Sequence, residues 1–202
     1  CDSKAEFAAG RPLRIFDTFL GIVCKAPELP HLPPNPYLAR IIISQYGGPD
    51  GELGASLRYL SQRYSMPFDE LKGLLTDIGT EELGHLEMVG AIVHQLTRNL
   101  KENQYKDPVF APYFVDHTVG VYPNAAAGFP WNAGSMAVKG DPIADLTEDL
   151  AAEQKARVTY DNILRLSDDP DVNDVIRFLR EREIVHFQRF GEVLDILQSQ
   201  IK

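Results

Sequence analysis

At 202 residues, with 44% hydrophobic and 24% charged side chains, the chain is long enough for one sizeable core and has an ordinary globular composition. Its formal net charge of −9 argues against nucleic acid and anionic membrane surfaces as partners, and no apolar run approaches the length of a bilayer span, so a soluble protein is expected. Two cysteines, Cys1 and Cys24, make neither a disulfide framework nor a paired metal knuckle, which leaves the compartment open with a reducing one favoured.

Residues 1–36 show no helical period, and Pro27, Pro30, Pro33, Pro34 and Pro36 favour an extended N-terminal arm. Ile15, Phe16, Phe19, Leu20, Ile22 and Val23 suit an arm that packs on a neighbouring subunit. Cys1 stands first without Met, which is read as truncation or processing rather than as a lipidated terminus. A bundle is expected over residues 37–202. Its helix A runs from about Tyr37 to Tyr64, kinked or broken at Gly47-Gly48-Pro49, where small residues allow close approach of backbone or solvent or simply end a helix.

Helix B is expected from about Phe68 to Leu100, with an apolar stripe through Leu71, Leu75, Ile78, Val89, Ile92 and Leu96. Glu81 and Glu87 fall off that stripe and read as solvated or as partners behind the site; His94 is given no role. Residues 101–140, rich in aromatics, glycine and proline and without a helical period, read as one long crossover, with His117 and Trp131 in structural or subunit-contact roles. Asp141-Pro142 signals the start of helix C, whose seam reads Leu146, Leu150, Glu153, Arg157, Tyr160 and Leu164. Asp168-Asp169-Pro170-Asp171 turns the chain into helix D, with the seam Ile176, Leu179, Phe190, Val193 and Leu197 and with Arg177, Arg180, Arg182 and Arg189 facing mostly outward against nearby acids.

Polar pairs interrupt two of these stripes. In Thr80-Glu81-Glu82-Leu83-Gly84-His85 the carboxylate of Glu82 and the imidazole of His85 lie three apart on one helix face, pointing from adjacent turns toward one spot. One such pair is weak evidence, but Glu183 and His186 repeat it 101 residues later, again inside the seam. The same offset relates Glu52 to Glu153, Ala55 to Ala156 and Tyr59 to Tyr160. Four helices therefore read as two copies of a helix pair, each supplying a lone Glu and a Glu-x-x-His, which is the dinuclear carboxylate pattern of a ferritin-like four-helix bundle. Buried glutamates are costly unless paired or metal-bound, and four carboxylates with two imidazoles suit iron or manganese. Tyr59, two turns after Glu52, is placed to hydrogen-bond a metal-bound carboxylate. Four bound glutamates would neutralise two divalent ions; three would leave room for bridging solvent and a free carboxylate as proton acceptor.

The stretches Tyr46-Gly-Gly-Pro-Asp-Gly-Glu52-Leu-Gly-Ala-Ser-Leu-Arg-Tyr59-Leu, Leu74 to Met88, Gly140 to Leu146 and Arg177 to His186 closely resemble the manganese catalases of the spore-coat CotJC type. The similarity runs from about Pro36 to Leu197 and leaves residues 1–35 uncovered. The resemblance implies an all-α ferritin-like bundle that disproportionates hydrogen peroxide to water and dioxygen with two solvent-bridged manganese ions per chain, cycling between Mn(II) and Mn(III) pairs. It implies that Glu52 and His85 bind one ion, Glu153 and His186 the other, and Glu82 bridges them. It places Glu183 outside the ligand set as the acid/base group beside the solvent bridge, and makes Tyr59 a tyrosine that supports a ligand. Some members place an arginine immediately before the third carboxylate and so narrow access, whereas Ala152 stands there in this chain. The resemblance also implies a homo-oligomer, with a hexamer expected, and a place in the cytoplasm or a spore coat among other coat proteins.

A diiron oxidase or peroxidase of the ferritin-like class is the enzymatic alternative. Two cysteines cannot build the Cys-rich electron-transfer site of a rubrerythrin-like peroxidase, which weighs for the catalase. The non-enzymatic alternative is a structural coat protein whose metal ions staple the bundle.

Overall fold

Asparagine and proline start the first helix. In the computed structural model, which describes residues 32–200, the Asn35 side chain accepts a hydrogen bond from the Leu38 amide at 3.0 Å and Pro36 takes the first helical position. Residues 32–35 precede the helix without regular structure and Leu32 is buried; the rest of the expected arm, 1–31, lies outside the described residues. Helix α1 spans Pro36–Gly47 and α2 spans Glu52–Gln62. The expected break falls between them, at residues 48–51. A Cβ on Gly47 would lie 2.2 Å from the backbone carbonyl carbon of Pro123. The close approach at this glycine is thus by the chain's own crossover rather than by a ligand.

Helix α3 covers Asp69–Thr97, α6 covers Pro142–Leu166 and α7 covers Pro170–Gln200. The two aspartate caps behave as expected: Asp141 Oδ1 accepts from the Ala144 amide at 2.8 Å, and Asp169 Oδ1 accepts from the amides of Asp171 and Val172 at 3.0 and 3.2 Å. The connection of residues 101–140 differs from the expectation of a stretch without helix. It contains α4 (Glu102–Tyr105), α5 (Ala111–His117) and a 3₁₀ turn at Ala133–Ser135. Each is too short to show a period that sequence reading can detect. No strand occurs among the described residues; Asn124 and Pro130 form an isolated bridge.

Helix α2 packs along α3 and α6 along α7, so the two expected helix pairs are the closest partners in the bundle. Side chains fill the interior in two apolar clusters. One gathers Ile42 and Ile43 of α1, Val89, Ile92 and Leu96 of α3, Ile163 of α6, and Val172, Val175, Ile176 and Leu179 of α7. The other gathers Tyr59, Leu71, Leu75, Ile78, Leu146, Phe190 and Leu197. Helices α3 and α6 both run from the second cluster to the first, which is why the crossover must return along the bundle. It is stitched to α1 and α2 on the way. Arg40 donates to the Ala125 carbonyl at 2.7 Å, the Ala126 amide donates to Ser44 Oγ at 2.7 Å, and Gln62 donates to the Ala137 carbonyl at 3.0 Å. Gly140, with φ +78°, then swings the chain into α6, its amide and that of Lys139 held by the buried Asp145 carboxylate.

The α3 and α7 stripes are buried as expected, apart from a half-buried Val193. The α6 seam needs correction. Arg157 is half-exposed and pairs with Asp161 at 2.7 Å, while Asp149, Ala152, Ala156 and Ile163 take the inward positions beside Leu146, Glu153 and Tyr160. Ala152 and Ala156 are buried where simple spacing, following the larger apolar side chains, assigned Arg157 to the seam.

Candidate metal centre

Between the two apolar clusters lies a layer of charge. Glu52, Glu82, His85, Glu153, Glu183 and His186 all meet there, none more than 3% exposed. Every one of the six residues named from the repeat is therefore in one place. Their donor atoms form two groups, Glu52, Glu82, His85 and Glu183 in one and Glu82, Glu153 and His186 in the other, with the atoms of each group within 4.8 Å of one another.

Glu82 belongs to both groups, and the reason is geometric. Its Oε2 lies 2.6 Å from His85 Nδ1, and its Oε1 lies 2.6 Å from His186 Nδ1. Each imidazole also faces the lone glutamate of its own helix pair: His85 Nδ1 is 3.9 Å from Glu52 Oε2, and His186 Nδ1 is 3.6 Å from Glu153 Oε2. The two rings stack with centroids 5.7 Å apart. One carboxylate thus spans two equivalent stations, each with its own imidazole and its own second carboxylate.

Two tyrosines close the layer from opposite ends. Tyr59 donates to Glu153 Oε1 at 2.5 Å, and Tyr160 donates to Glu52 Oε1. Each phenol therefore supports the lone glutamate of the other helix pair. Burial pushes both phenols well above their ordinary pKa, and the facing carboxylates add to it, so both remain neutral donors. The tyrosine of the first copy had been expected to reach a carboxylate. The role of Tyr160 was missed, although the 101-residue offset that links it to Tyr59 was the signal that could have found it.

Among protein groups alone, protons are held where cations would sit. Burial lowers the pKa of His85, but Glu82, Glu81 and Glu52 outweigh it and raise the imidazole to about 9. His186 is likewise raised well above its ordinary value against the opposing effect of burial. Glu82 is pulled below the usual carboxylate range despite burial, because both imidazoles face it. Glu52 and Glu183 are pushed well up, first by burial and then by neighbouring carboxylates. Glu82 Oε1, Glu153 Oε2, Glu183 Oε1 and His186 Nδ1 are buried yet make no hydrogen bond. Glu82 Oε1 and His186 Nδ1 are close but not aligned on each other, as two donors aimed at a shared point would be. Each ion taken out of water costs several kcal/mol, as much as or more than the roughly 1.5–3 kcal/mol gained by burying one Leu or Ile side chain. Such a layer does not exist for stability. Oxygen and imidazole donors in this number fit two hard or borderline divalent cations.

Two further groups sit behind the site. Glu81, off the apolar stripe, is only 7% exposed, lies near the Nε2 atoms of both imidazoles and accepts from Arg182 Nε at 2.6 Å. Of the two readings offered for Glu81, the solvated one is thereby set aside. The four arginines pair with acids as expected, Arg177 with Asp174, Arg180 with Asp161, Arg182 with Glu81 and Arg189 with Asp77, but only Arg177 is exposed; the other three are half-buried rather than outward. One turn before Glu153, Asp149 is fully buried with neither oxygen bonded, and burial raises its carboxyl well above the ordinary range. Sequence reading gave it no role, since an aspartate beside Leu150 offers no periodic signal. His94 and Glu87 are exposed, and the His117 ring stacks on Tyr122 at 4.1 Å, away from the site.

Comparisons with known proteins identify a family. The family model for manganese containing catalase matches residues 29–202. The chain is 53% identical over 166 residues to Protein CotJC of Bacillus subtilis (strain 168), a match that covers 82% of this chain and 87% of that protein. It is 34% identical over 166 residues to a probable manganese catalase of Clostridium acetobutylicum, covering 82% of this chain and 74% of that one. The crystal structure of wild-type KatB, a manganese catalase from Anabaena, superimposes with a TM-score of 0.78 at 34% identity, covering 86% of this chain and 78% of that one. Sequence identity and backbone superposition lead to one group: the chain belongs to the manganese-containing catalase family, with its ferritin-like helical fold.

Proposed function

We propose that the chain is a dimanganese catalase converting two hydrogen peroxide molecules into two waters and one dioxygen. The observation that carries this reading is Glu82, whose two oxygens each face a different imidazole across two matching stations. Glu52 with His85 would hold one ion, Glu153 with His186 the other, and Glu82 would bridge them together with solvent. Two manganese ions bound there would accept and return the electron pair that passes between the two peroxides. Glu183 supplies the proton chemistry. Its Oε1 is buried beside the first station and has no partner, so it can take a proton from a peroxide O–H and return it to the departing oxygen as water forms. Tyr59 and Tyr160 hold Glu153 and Glu52 in place from behind. The working protein is a homo-oligomer, a hexamer in this reading.

Elemental analysis combined with oxygen release tests it. About two manganese per chain, and one dioxygen for every two peroxides without added reductant, is the expected result. Two irons, with peroxide consumed only when a reductant is supplied, would move the assignment to a diiron oxidase or peroxidase. The 53% identity to Protein CotJC favours one other reading, a spore-coat protein in which the ions staple the bundle. Bound metal without turnover under either condition would select it.

A further inference from the structure

Glu81 stands next to the bridging Glu82 on α3, yet it points to the far side of the imidazoles. Its Oε1 is 3.5 Å from His85 Nε2 and its Oε2 is 3.3 Å from His186 Nε2. Both contacts are longer than a closed hydrogen bond, and a shift of about 0.5 Å brings each to the ordinary 2.9–3.0 Å. The carboxylate itself is fixed from α7: Arg182 donates to Oε1 through Nε at 2.6 Å and to Oε2 through its terminal nitrogen at 3.3 Å. Arg182 is the counterpart of Glu81 at the 101-residue offset. At this position the two copies carry opposite charges and pair with each other, whereas at every donor position they carry the same residue.

We infer that Glu81 is a positioning residue shared by both metal stations: one carboxylate fixes the Nε2–H form of His85 and His186 together, and Arg182 fixes that carboxylate. With Nε2 protonated, each Nδ1 presents its lone pair toward Glu82 and the lone glutamate of its station. A carboxylate behind a metal-bound imidazole ordinarily serves one histidine. Here a single group serves two, so the stations cannot be loosened independently from this side. This inference rests on the dimetal reading above.

Manganese(II) binding to the purified full chain, followed by equilibrium dialysis and by the electron paramagnetic resonance of the coupled ion pair, tests it alongside helical content and melting temperature. Glu81→Ala is expected to weaken uptake of both ions alike by about 10- to 100-fold and to alter the coupled-pair spectrum while the chain remains helical. Arg182→Met is expected to do the same to a smaller degree, and Glu81→Asp to recover part of the affinity. If Glu81→Ala lowers only the melting temperature and binds two ions as the unaltered chain does, the inference is overturned and the dimetal reading stands. Loss of one ion alone overturns the shared role. If the unaltered chain takes up no divalent metal, the dimetal reading and this inference both fall.

Discussion

The helix pair α2–α3 and the helix pair α6–α7 bring the same side chains to the centre of the bundle, but the bundle uses them unequally. In α3 the glutamate of the Glu-x-x-His pair stands between both imidazoles, each of its oxygens 2.6 Å from one Nδ1. In α7 the matching Glu183 keeps an Oε1 that meets no donor. The tyrosines show the opposite behaviour: Tyr59 and Tyr160 remain equivalent, each holding the lone glutamate across the bundle. A duplicated scaffold thus fixes where donors arrive, while a few asymmetric contacts decide what each donor does.

Breaking that comparison at its centre should have the largest effect. Glu82→Gln removes the one group common to both stations, and metal analysis should find both ions lost and peroxide turnover abolished, with affinity down by more than about 100-fold. Glu183→Gln should separate the two copies. The variant is expected to keep two ions and the fold while turnover falls by about 10²- to 10⁴-fold, measured as oxygen release. Loss of one ion instead would make Glu183 a ligand and restore the symmetry.

Tyr59→Phe and Tyr160→Phe test the part of the comparison that is even. Each should lower metal affinity by about tenfold, the two to similar extents, because each removes one donor to one buried carboxylate. A pH series on protein stripped of metal by a chelator adds a sign. His85 is raised from its ordinary 6.5 to about 9, so its contribution to stability is fully present below pH 6.5 and lost as pH rises to about 9. The raised carboxyls of Glu52 and Glu183 act in the same direction. The melting temperature of the stripped protein should fall across that window, while manganese affinity rises because the ion displaces protons. The smallest effect is expected far from the site: Asp169→Ala removes the cap of α7 at a cost of about 1 kcal/mol, seen as a drop of about 2–4 °C in melting temperature without change in metal content.

The stripes of α3 and α7 were legible because long amphipathic helices repeat their burial signal over many turns, and a polar pair inside such a stripe stands out. The seam of α6 was read one face off at Arg157, since Ala152 and Ala156 carry little hydrophobic signal although they face inward. The short helices of the crossover were invisible for lack of length. Glu81 illustrates a different failure. Its position off the stripe is correct, but α7 covers that side of α3 and places Arg182 against it, and no pattern within α3 alone could say so.

What the sequence by itself determined was the identity and spacing of the donors: two Glu-x-x-His pairs, two lone glutamates and two tyrosines, all at one offset, on helices whose apolar faces must meet. Periodicity sets which face of a helix is buried, so it sets which residues enter the interior together. Only the tertiary structure decided which atoms meet. The rotation and stagger of one helix against another follow from packing across the interface. Those angles turned Tyr59 to Glu153 and Tyr160 to Glu52 across the bundle, placed Glu82 rather than Glu183 between the imidazoles, and buried Glu81 behind both.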